Sequence, residues 1–244
     1  MNLINPYRFA GDAGGIALPL HWYDLDNITT GLTDLGEGTT YSMGAFGSVA
    51  NSSGTGMNSQ DVIDVPLGSY LDSGTRQWDG SGVDVTVAIW ANYDALDSSG
   101  GSLVEWRSTL SPNILGMGAF PATTDYVFAQ LWDDGQDQVN TFGDDTASVT
   151  TGTWAHYAFT WDGTTMRMYK NGTETATATN ASVGSPLEQS ACLMRIGKRA
   201  TNTNTEFDGK LTMCGIWDTA LTADEISTSL YNGGNGNFYS DIWT

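Results

Sequence analysis

A regular alternation of apolar and polar residues in the second half of the chain is what most narrows its possible folds. From 154 to 161 every second side chain is aromatic or small and apolar, at Ala155, Tyr157, Phe159 and Trp161. An extended strand places such residues on one face, so the segment is typical of a half-buried strand. The dipeptides Asp162-Gly163 and Asn171-Gly172 follow, and both favour hairpin turns because those turns need positive φ angles. The pattern therefore predicts consecutive antiparallel strands.

Similar patterns recur along the rest of the chain. Residues 83–93 are typical of a half-buried strand with one aliphatic face, whereas residues 26–59 are polar and indicate a long loop with room for one short strand. The predicted strands are 18–24, 61–65, 83–93, 102–107, 114–119, 126–132, 154–161, 165–170, 174–179, 192–197 and 210–217. More than ten short strands predict an all-β protein, an antiparallel two-sheet jelly-roll sandwich.

One short C-terminal helix is predicted at 222–231. Thr222 and Glu225 have the spacing of a capping box, in which each side chain satisfies a backbone N–H of the other residue. Leu221 and Ile226 have the spacing of a hydrophobic staple, and Gly233 suits the end of the helix. We therefore predict an N-terminal arm at 1–17, one sandwich domain at 18–233 and a C-terminal tail at 234–244.

The charge balance excludes several partners. The 244 residues include 28 acidic and only 9 basic side chains, which give a formal net charge of −19. Nucleic acids and anionic membranes bind clustered lysine and arginine, so neither is an expected partner. No apolar run reaches the ~20 residues of a membrane span, and the N-terminus lacks a signal-peptide pattern. Two cysteines, Cys192 and Cys214, are too few for a disulfide framework, and we expect two buried thiols or one cross-strand disulfide.

Three segments of the second half resemble a known family. They read TWAHYAFTWDGTTMRMYKNG, LMRIGKR and FDGKLTMCGIWDTALTADEISTSLYNGG, and LHWYDLD and VTVAIWANYD fit the earlier strands. In this order they resemble the concanavalin A-like, laminin G-like and pentraxin-like sandwich domains over about 18–233. The resemblance implies the fold but not one function, because the same scaffold hosts lectins, adhesins, hydrolases and structural spacers.

The two ends of the chain carry a second resemblance. INPYRFA at the start and SLYNGGNGNFYSD at the end are similar to virion proteins of tailed bacteriophages that carry a laminin G-like module. This resemblance implies synthesis in the host cytoplasm and a place on the virion surface, as a capsid decoration or a tail-fibre module. Its partners would be other virion proteins, reached through Tyr7, Arg8 and Phe9 of the arm. An arm that packs against its own domain is the alternative.

Enzymatic motifs are absent from the sequence. Six glutamates include no pair with the spacing of a glycosidase strand, and no Gly-x-Ser-x-Gly, Walker or zinc motif occurs. The two histidines, His21 and His156, lie in strands beside aromatic residues and are expected to be packed or hydrogen-bonded. We therefore predict a protein that is not an enzyme.

Calcium is the cofactor that the acidic residues could hold. Asp133, Asp134 and Asp137 follow a predicted strand, and a flexible loop of carboxylates suits Ca²⁺, although a solvated acidic hairpin is the alternative. A second candidate set is Asp24, Asp26 and Asp34. The chain departs from the pentraxins where they carry calcium ligands, because it has the basic pair Lys198 and Arg199 there.

Glycan binding requires an exposed aromatic ring. Trp106 and Trp132 are the main candidates, with Trp78 and Trp243 as further ones, and each could instead lie at the rim of the core.

Six of the nine basic residues fall in the last third of the chain and could meet an acidic neighbour, which is why we expect a homo-oligomer. The main interpretation is a virion surface protein with host-surface polysaccharide as a further partner. The alternative is a secreted, calcium-assisted carbohydrate-binding adhesin or lectin module.

Overall fold

A computed structural model describes residues 16–76, 83–96, 101–108, 114–120, 126–133, 137–142, 148–183, 192–199 and 206–243. It confirms the predicted all-β class, since two antiparallel sheets face each other and one short helical segment follows near the C-terminus. No helix in these ranges is long and apolar enough to cross a membrane.

The first sheet has eight strands. They are β1 (His21–Tyr23), β3 (Ala50–Ser52), β4 (Val62–Val65), β6 (Val85–Tyr93), β11 (Ala155–Trp161), β12 (Thr165–Lys170), β13 (Thr173–Thr179) and β15 (Gly209–Trp217). Their spatial order is β13-β12-β11-β6-β15-β4-β3. Strand β1 pairs with the second half of β15 and β4 with its first half, so the long strand β15 serves two partners along one edge.

The second sheet has seven strands. They are β2 (Gly44–Phe46), β5 (Tyr70–Arg76), β7 (Gly101–Ser108), β8 (Ile114–Phe120), β9 (Tyr126–Trp132), β10 (Gln138–Phe142) and β14 (Cys192–Ile196). Their order is β10-β9-β8-β7-β14-β5-β2, so four strands that follow one another in the chain lie side by side, and β14, β5 and β2 complete the sheet. Strands β5 and β10, and one of the two short strands in 26–59, have no counterpart among the predicted strands.

The hairpin turns form as the dipeptides predict. Asn171 and Gly172 have φ angles of 51° and 74°, and Gly163 has a φ of 81°. Two consecutive positive φ angles are typical of a type I′ turn, which matches the right-handed twist of the strands it joins. Local chemistry therefore fixes the hairpins β11–β12 and β12–β13.

The main core lies between the sheets and contains one buried ion pair. The largest fully buried side chains include Trp106, Trp161 and Phe159. Within this core His21 Nδ1 lies 2.7 Å from Asp34 Oδ2, and the Asp34 carboxylate also accepts hydrogen bonds from backbone N–H groups, including that of Trp22. A charge can be buried there because both Asp34 carboxylate oxygens accept hydrogen bonds.

A second apolar layer covers the outer face of the eight-stranded sheet. Helix α1 (Ala223–Glu225) continues as a π-helix (Ile226–Tyr231) and a 3₁₀ turn (Asn232–Gly234), and α2 (Tyr239–Ile242) follows. Thr222 and Glu225 form the predicted capping box, with the Glu225 N–H donating to Thr222 Oγ1 at 3.2 Å. This layer explains why β6 and β11 are buried on both faces, although alternation predicts one solvated face.

The C-terminal segment is part of that layer. The Trp243 ring lies 5.1 Å from the Trp22 ring in an edge-to-face contact, and the Tyr239 N–H donates to Asp24 Oδ1 at 3.0 Å. Residues 239–243 therefore pack on the sandwich and cover the outer face of the eight-stranded sheet beside β1.

Candidate functional site: the open face of the seven-stranded sheet

A row of polar residues crosses the outer face of the seven-stranded sheet. Pairing in register joins, strand by strand, Gly44, Asp72, Arg195, Glu105, Gly116, Gln130 and Asn140. We call these seven residues the polar row. Their neighbours along each strand, such as Leu71, Trp106 and Leu131, belong to the core. Because successive side chains in a strand point to opposite faces, the polar row points away from the core.

Ion pairs hold the centre of the polar row. Arg195 Nε donates to Asp72 Oδ2 at 2.7 Å, and Arg199 Nε donates to Glu105 Oε1 at 3.4 Å. Arg107, on the same face of β7, places Nη1 3.6 Å from the same Glu105 oxygen. A single carboxylate therefore faces two guanidinium groups.

The polar row lies in a recess. The Glu105 side chain is 1% exposed and that of Asp72 is 9% exposed, whereas those of Arg195, Arg107 and Arg199 are between 17% and 24% exposed. Polar side chains on a convex surface would be far more accessible to solvent. At the centre Gly116 has no side chain. A Cβ added there would lie 3.5 Å from the Gln130 side chain, which is an ordinary van der Waals distance. Gly116 therefore leaves the centre of the polar row without a side chain.

Aromatic rings lie toward both sides of the recess. Trp132 occupies the next outward-facing position of β9 after Gln130 and is half-buried, and its indole Nε1 has no hydrogen-bond partner in the described ranges. On the other side Tyr70 and Phe46 stack with ring centroids 5.0 Å apart, and the Arg195 guanidinium lies 4.8 Å from the Tyr70 centroid. Four inter-strand steps separate β5 from β9, a span of roughly 19 Å.

Trp106 does not have the exposed position that the sequence suggests. Its side chain is 0% exposed and points into the core, where its ring centroid lies 5.4 Å from that of His21. Glu105 and Arg107, its neighbours along β7, take the outward positions instead. A sugar has no access to the Trp106 ring, so the expectation of a stacking role for Trp106 is wrong and Trp132 alone of the two lies on the open face.

Of the other predicted aromatic and arm positions, the described residues include only Trp243. Trp243 packs in the C-terminal layer described above. Trp78 lies outside the described residues, and so do Tyr7, Arg8 and Phe9 of the predicted arm.

The acidic residues after β9 act within the hairpin. The Asp137 N–H donates to Asp133 Oδ1 at 2.9 Å, and the Asp133 N–H donates to the Asp137 carbonyl at 3.0 Å. Asp133 is buried and Asp137 is exposed, while Asp134 lies outside the described residues. These bonds close the turn between β9 and β10 and favour the acidic hairpin that the sequence left as an alternative. Across the described ranges, no group of three His, Cys, Asp or Glu side chains is arranged to hold a metal ion.

The second predicted acidic set is also occupied by protein partners. Asp34 pairs with His21, and Asp24 accepts a hydrogen bond from Trp22 Nε1 at 2.7 Å. Burial, together with the charges of Asp24 and Asp61, raises the pKa of Asp26. Asp24 and Asp34 therefore have structural partners around β1, whereas the fold disfavours the ionised form of Asp26.

The histidines and cysteines are structural. His21 lies in the buried ion pair and His156 is buried under the C-terminal layer, as their aromatic neighbours predict. Cys192 and Cys214 are buried thiols and form no disulfide. Burial raises the pKa of Cys192 to about 11 and that of Cys214 still further, so neither thiol is a ready nucleophile.

The sequence did not reveal the register in which the strands of the seven-stranded sheet pair, and this register brings the polar row together. Asp72, Arg195 and Gln130 are far apart in the chain and form no motif, and β5 itself was not predicted. The uneven distribution of basic residues was visible, but the face on which they meet depends on the pairing of β14 with both β5 and β7.

Comparisons with known proteins agree with this architecture. The chain matches the Laminin_G_3 family, described as the concanavalin A-like lectin/glucanases superfamily, over residues 67–227. A curated relative, pappalysin-1 of Mus musculus, is 35% identical over 85 residues, which are 34% of this chain and 5% of that protein's length.

Two solved structures show the same fold at low identity. One is domain 4 of AbnA, a GH43 extracellular arabinanase from Geobacillus stearothermophilus in complex with arabinotriose, at TM-score 0.64 and 16% identity over 86% of this chain and 97% of that one. Another is a heptameric SAP-like pentraxin from Limulus polyphemus, at TM-score 0.53 and 17% identity over 70% and 79%. The family match covers more than half of the chain, and this protein therefore belongs to the concanavalin A-like lectin/glucanases superfamily.

Proposed function

We propose that this protein is a non-enzymatic carbohydrate-binding module that holds an oligosaccharide in the recess of the seven-stranded sheet. The observation that carries the proposal is the polar row itself: polar side chains from five strands line a recess with a glycine at its centre and aromatic rings toward its two sides. Carbohydrate sites combine these elements, because polar groups orient hydroxyls while aromatic rings pack against sugar faces.

The fold family supports this proposal. It includes lectins by its description, and the domain of AbnA with the same fold was solved with arabinotriose. Among the two alternatives from the sequence, the carbohydrate-binding module is the one that these comparisons favour.

The recess suits binding better than hydrolysis. A glycosidase needs one carboxyl group that protonates the leaving group and a second that acts as nucleophile or base. Both carboxylates of the polar row, Asp72 and Glu105, contact arginine. We therefore assign them to holding the guanidinium groups in place.

Filling the recess tests the proposal. We expect Gly116→Leu and Trp132→Ala each to weaken oligosaccharide binding ~10-fold or more, which is a change of about 1.4 kcal/mol in binding free energy. Gly116→Ala is the matched control, because a Cβ has room at this position and we expect near-normal affinity. Ligands from a glycan array would be measured by isothermal titration calorimetry, with the melting temperature as a check of folding. Affinity that is unaltered in both folded variants would place any sugar site elsewhere.

The same titration with and without a chelator tests the calcium prediction. Asp133 and Asp137 bond to each other's backbone, so we expect the affinity to be insensitive to chelation. A large loss of affinity would instead support the predicted calcium-assisted site.

A place on the virion surface is a separate proposal, and the sequences of the two terminal segments support it. A capsid decoration or tail-fibre module could present the recess to host-surface polysaccharide while its arm contacts other virion proteins. The two roles do not exclude each other.

A further inference from the structure

We propose that the recess selects acidic glycans, whose sugar units carry carboxylates. This inference rests on the proposed carbohydrate-binding function and names the class of sugar. It follows from the charge that surrounds the recess, in contrast to the charge of the rest of the molecule.

Basic residues are concentrated at this face. Arg107, Arg195, Lys198 and Arg199 contact the polar row or the Tyr70 ring beside it, and we call these four the cation patch. Among the described residues, their carboxylate partners are three, Asp72, Glu105 and Glu206. The chain has 9 basic and 28 acidic residues in all, so everywhere else carboxylates outnumber cations five to one. The cation patch is a positive region on a strongly negative molecule.

The excess positive charge is held beside Glu105. This buried carboxylate is shared by Arg107 and Arg199, whose side chains are 22% and 24% exposed. One negative charge satisfies a guanidinium only in part when two compete for it. A further carboxylate that enters from solvent would therefore find donors already fixed in orientation, and a guanidinium fork matches the planar geometry of a carboxylate.

The shape of the recess favours a polysaccharide over other anions. A row that runs across several strands suits a narrow, extended chain, and Trp132 and Phe46 offer ring faces near its two sides.

Matched pairs of oligosaccharides test the inference. The probes are oligogalacturonate, oligomannuronate and oligoguluronate, each compared with its carboxyl-reduced form, and dextran sulfate serves as a charge-only polyanion. We expect at least one carboxylated probe to bind 10-fold or more tightly than its reduced form, with an advantage that shrinks as salt rises. Arg199→Gln and Arg107→Gln should remove most of the advantage, while Arg199→Lys should keep part of it.

Arg167→Gln is the matched control. Arg167 also pairs with a carboxylate, Asp162, but it lies on β12 of the other sheet, so this variant should bind like the unmodified protein. The comparison of carboxylated with reduced probes needs no variant, so it remains decisive if an arginine substitution disturbs folding.

Each other outcome counts against a defined claim. Equal binding of reduced probes, with loss in Gly116→Leu, would overturn the acidic specificity and leave carbohydrate binding intact. Failure of all probes and of a neutral glycan array would overturn both. If dextran sulfate binds as tightly as the carboxylated probes, the recess responds to negative charge in general, and the proposed preference for carboxylates is wrong. If the protein instead self-associates in sedimentation experiments, and both higher salt and Arg199→Gln abolish this association, the cation patch binds a second copy.

Discussion

At the residue scale, His156 shows how fully the C-terminal layer excludes water. It lies on β11 with its ring centroid 5.3 Å from that of Trp90 and 6.4 Å from that of Tyr231. Its Nδ1 has no hydrogen-bond partner in the part of the chain described, and burial lowers its pKa from 6.5 to about 3. The imidazole is therefore neutral in the folded protein at any pH near neutrality.

This burial predicts a loss of stability in acid. In the unfolded chain His156 takes up a proton below pH 6.5, whereas in the folded protein it stays neutral down to about pH 3. Its contribution is present above 6.5 and is lost as pH falls, by about 1.4 kcal/mol per pH unit within that window. Urea unfolding of the protein and of His156→Phe between pH 7 and 5 should show a shallower pH dependence for the variant. Parallel curves would show that His156 is accessible to protons in the folded protein.

Neighbouring residues of one strand can have opposite roles. Glu105 contacts two arginines on the open face, whereas Trp106 is enclosed in the core. Composition and local sequence cannot separate an aromatic residue that binds from one that packs, because both lie in an apolar context. Trp132 is distinguished only by its outward position on β9.

At the element scale, the helical segment after Thr222 covers the outer face of the eight-stranded sheet. Its start is fixed by the capping box, and Ile226 and Leu230 are buried against the sheet. The π-helical turns end at Asn232, whose φ of 48° is left-handed and allows the chain to reverse toward α2. The element therefore depends on both a local cap and tertiary burial.

Removal of the cap tests the first of these contributions. Thr222→Ala should lower the free energy of unfolding by about 1 kcal/mol, because the Glu225 N–H loses its acceptor. Thr228→Ala is the matched control in the same segment, since its hydroxyl bonds only to the Asp224 carbonyl one turn earlier and little change is expected. Chemical denaturation provides the measurement, and equal effects of the two substitutions would contradict a special role of the cap.

At the scale of the whole molecule, the two sheets differ in what covers them. The C-terminal layer occupies the outside of the eight-stranded sheet, and the recess with its cation patch occupies the outside of the seven-stranded sheet. One face therefore contributes to stability, and the other is the face that we propose for contact with a partner. This division is the structural basis of the binding function that we propose.

The predicted arm provides the test of assembly. Deletion of residues 1–10 should leave the melting temperature within a few degrees, because within the described part of the chain residues 16–243 already form both apolar layers. If the arm anchors the protein to a virion or another partner, the truncated chain should no longer co-purify with that particle. Normal assembly of the truncated chain would show that Tyr7, Arg8 and Phe9 are not the anchor.

Local sequence was enough to predict the features that depend on near neighbours. Alternation predicted strands such as β9 and β12, Asn171-Gly172 predicted its turn, and Thr222 with Glu225 predicted the start of the helix, since strand alternation, turn φ angles and capping all act over a few residues. The family resemblance rested on the same local patterns.

The choice of the candidate binding face depends on tertiary packing. The recess needs Asp72, Glu105 and Arg195 to meet across three strands that are distant in sequence, and it needs the C-terminal layer to cover the opposite sheet. Register between such strands is fixed by how the two sheets bury their inner faces together, because a slip of one residue would exchange the core face for the open one. That is a property of the packed molecule and not of any single segment.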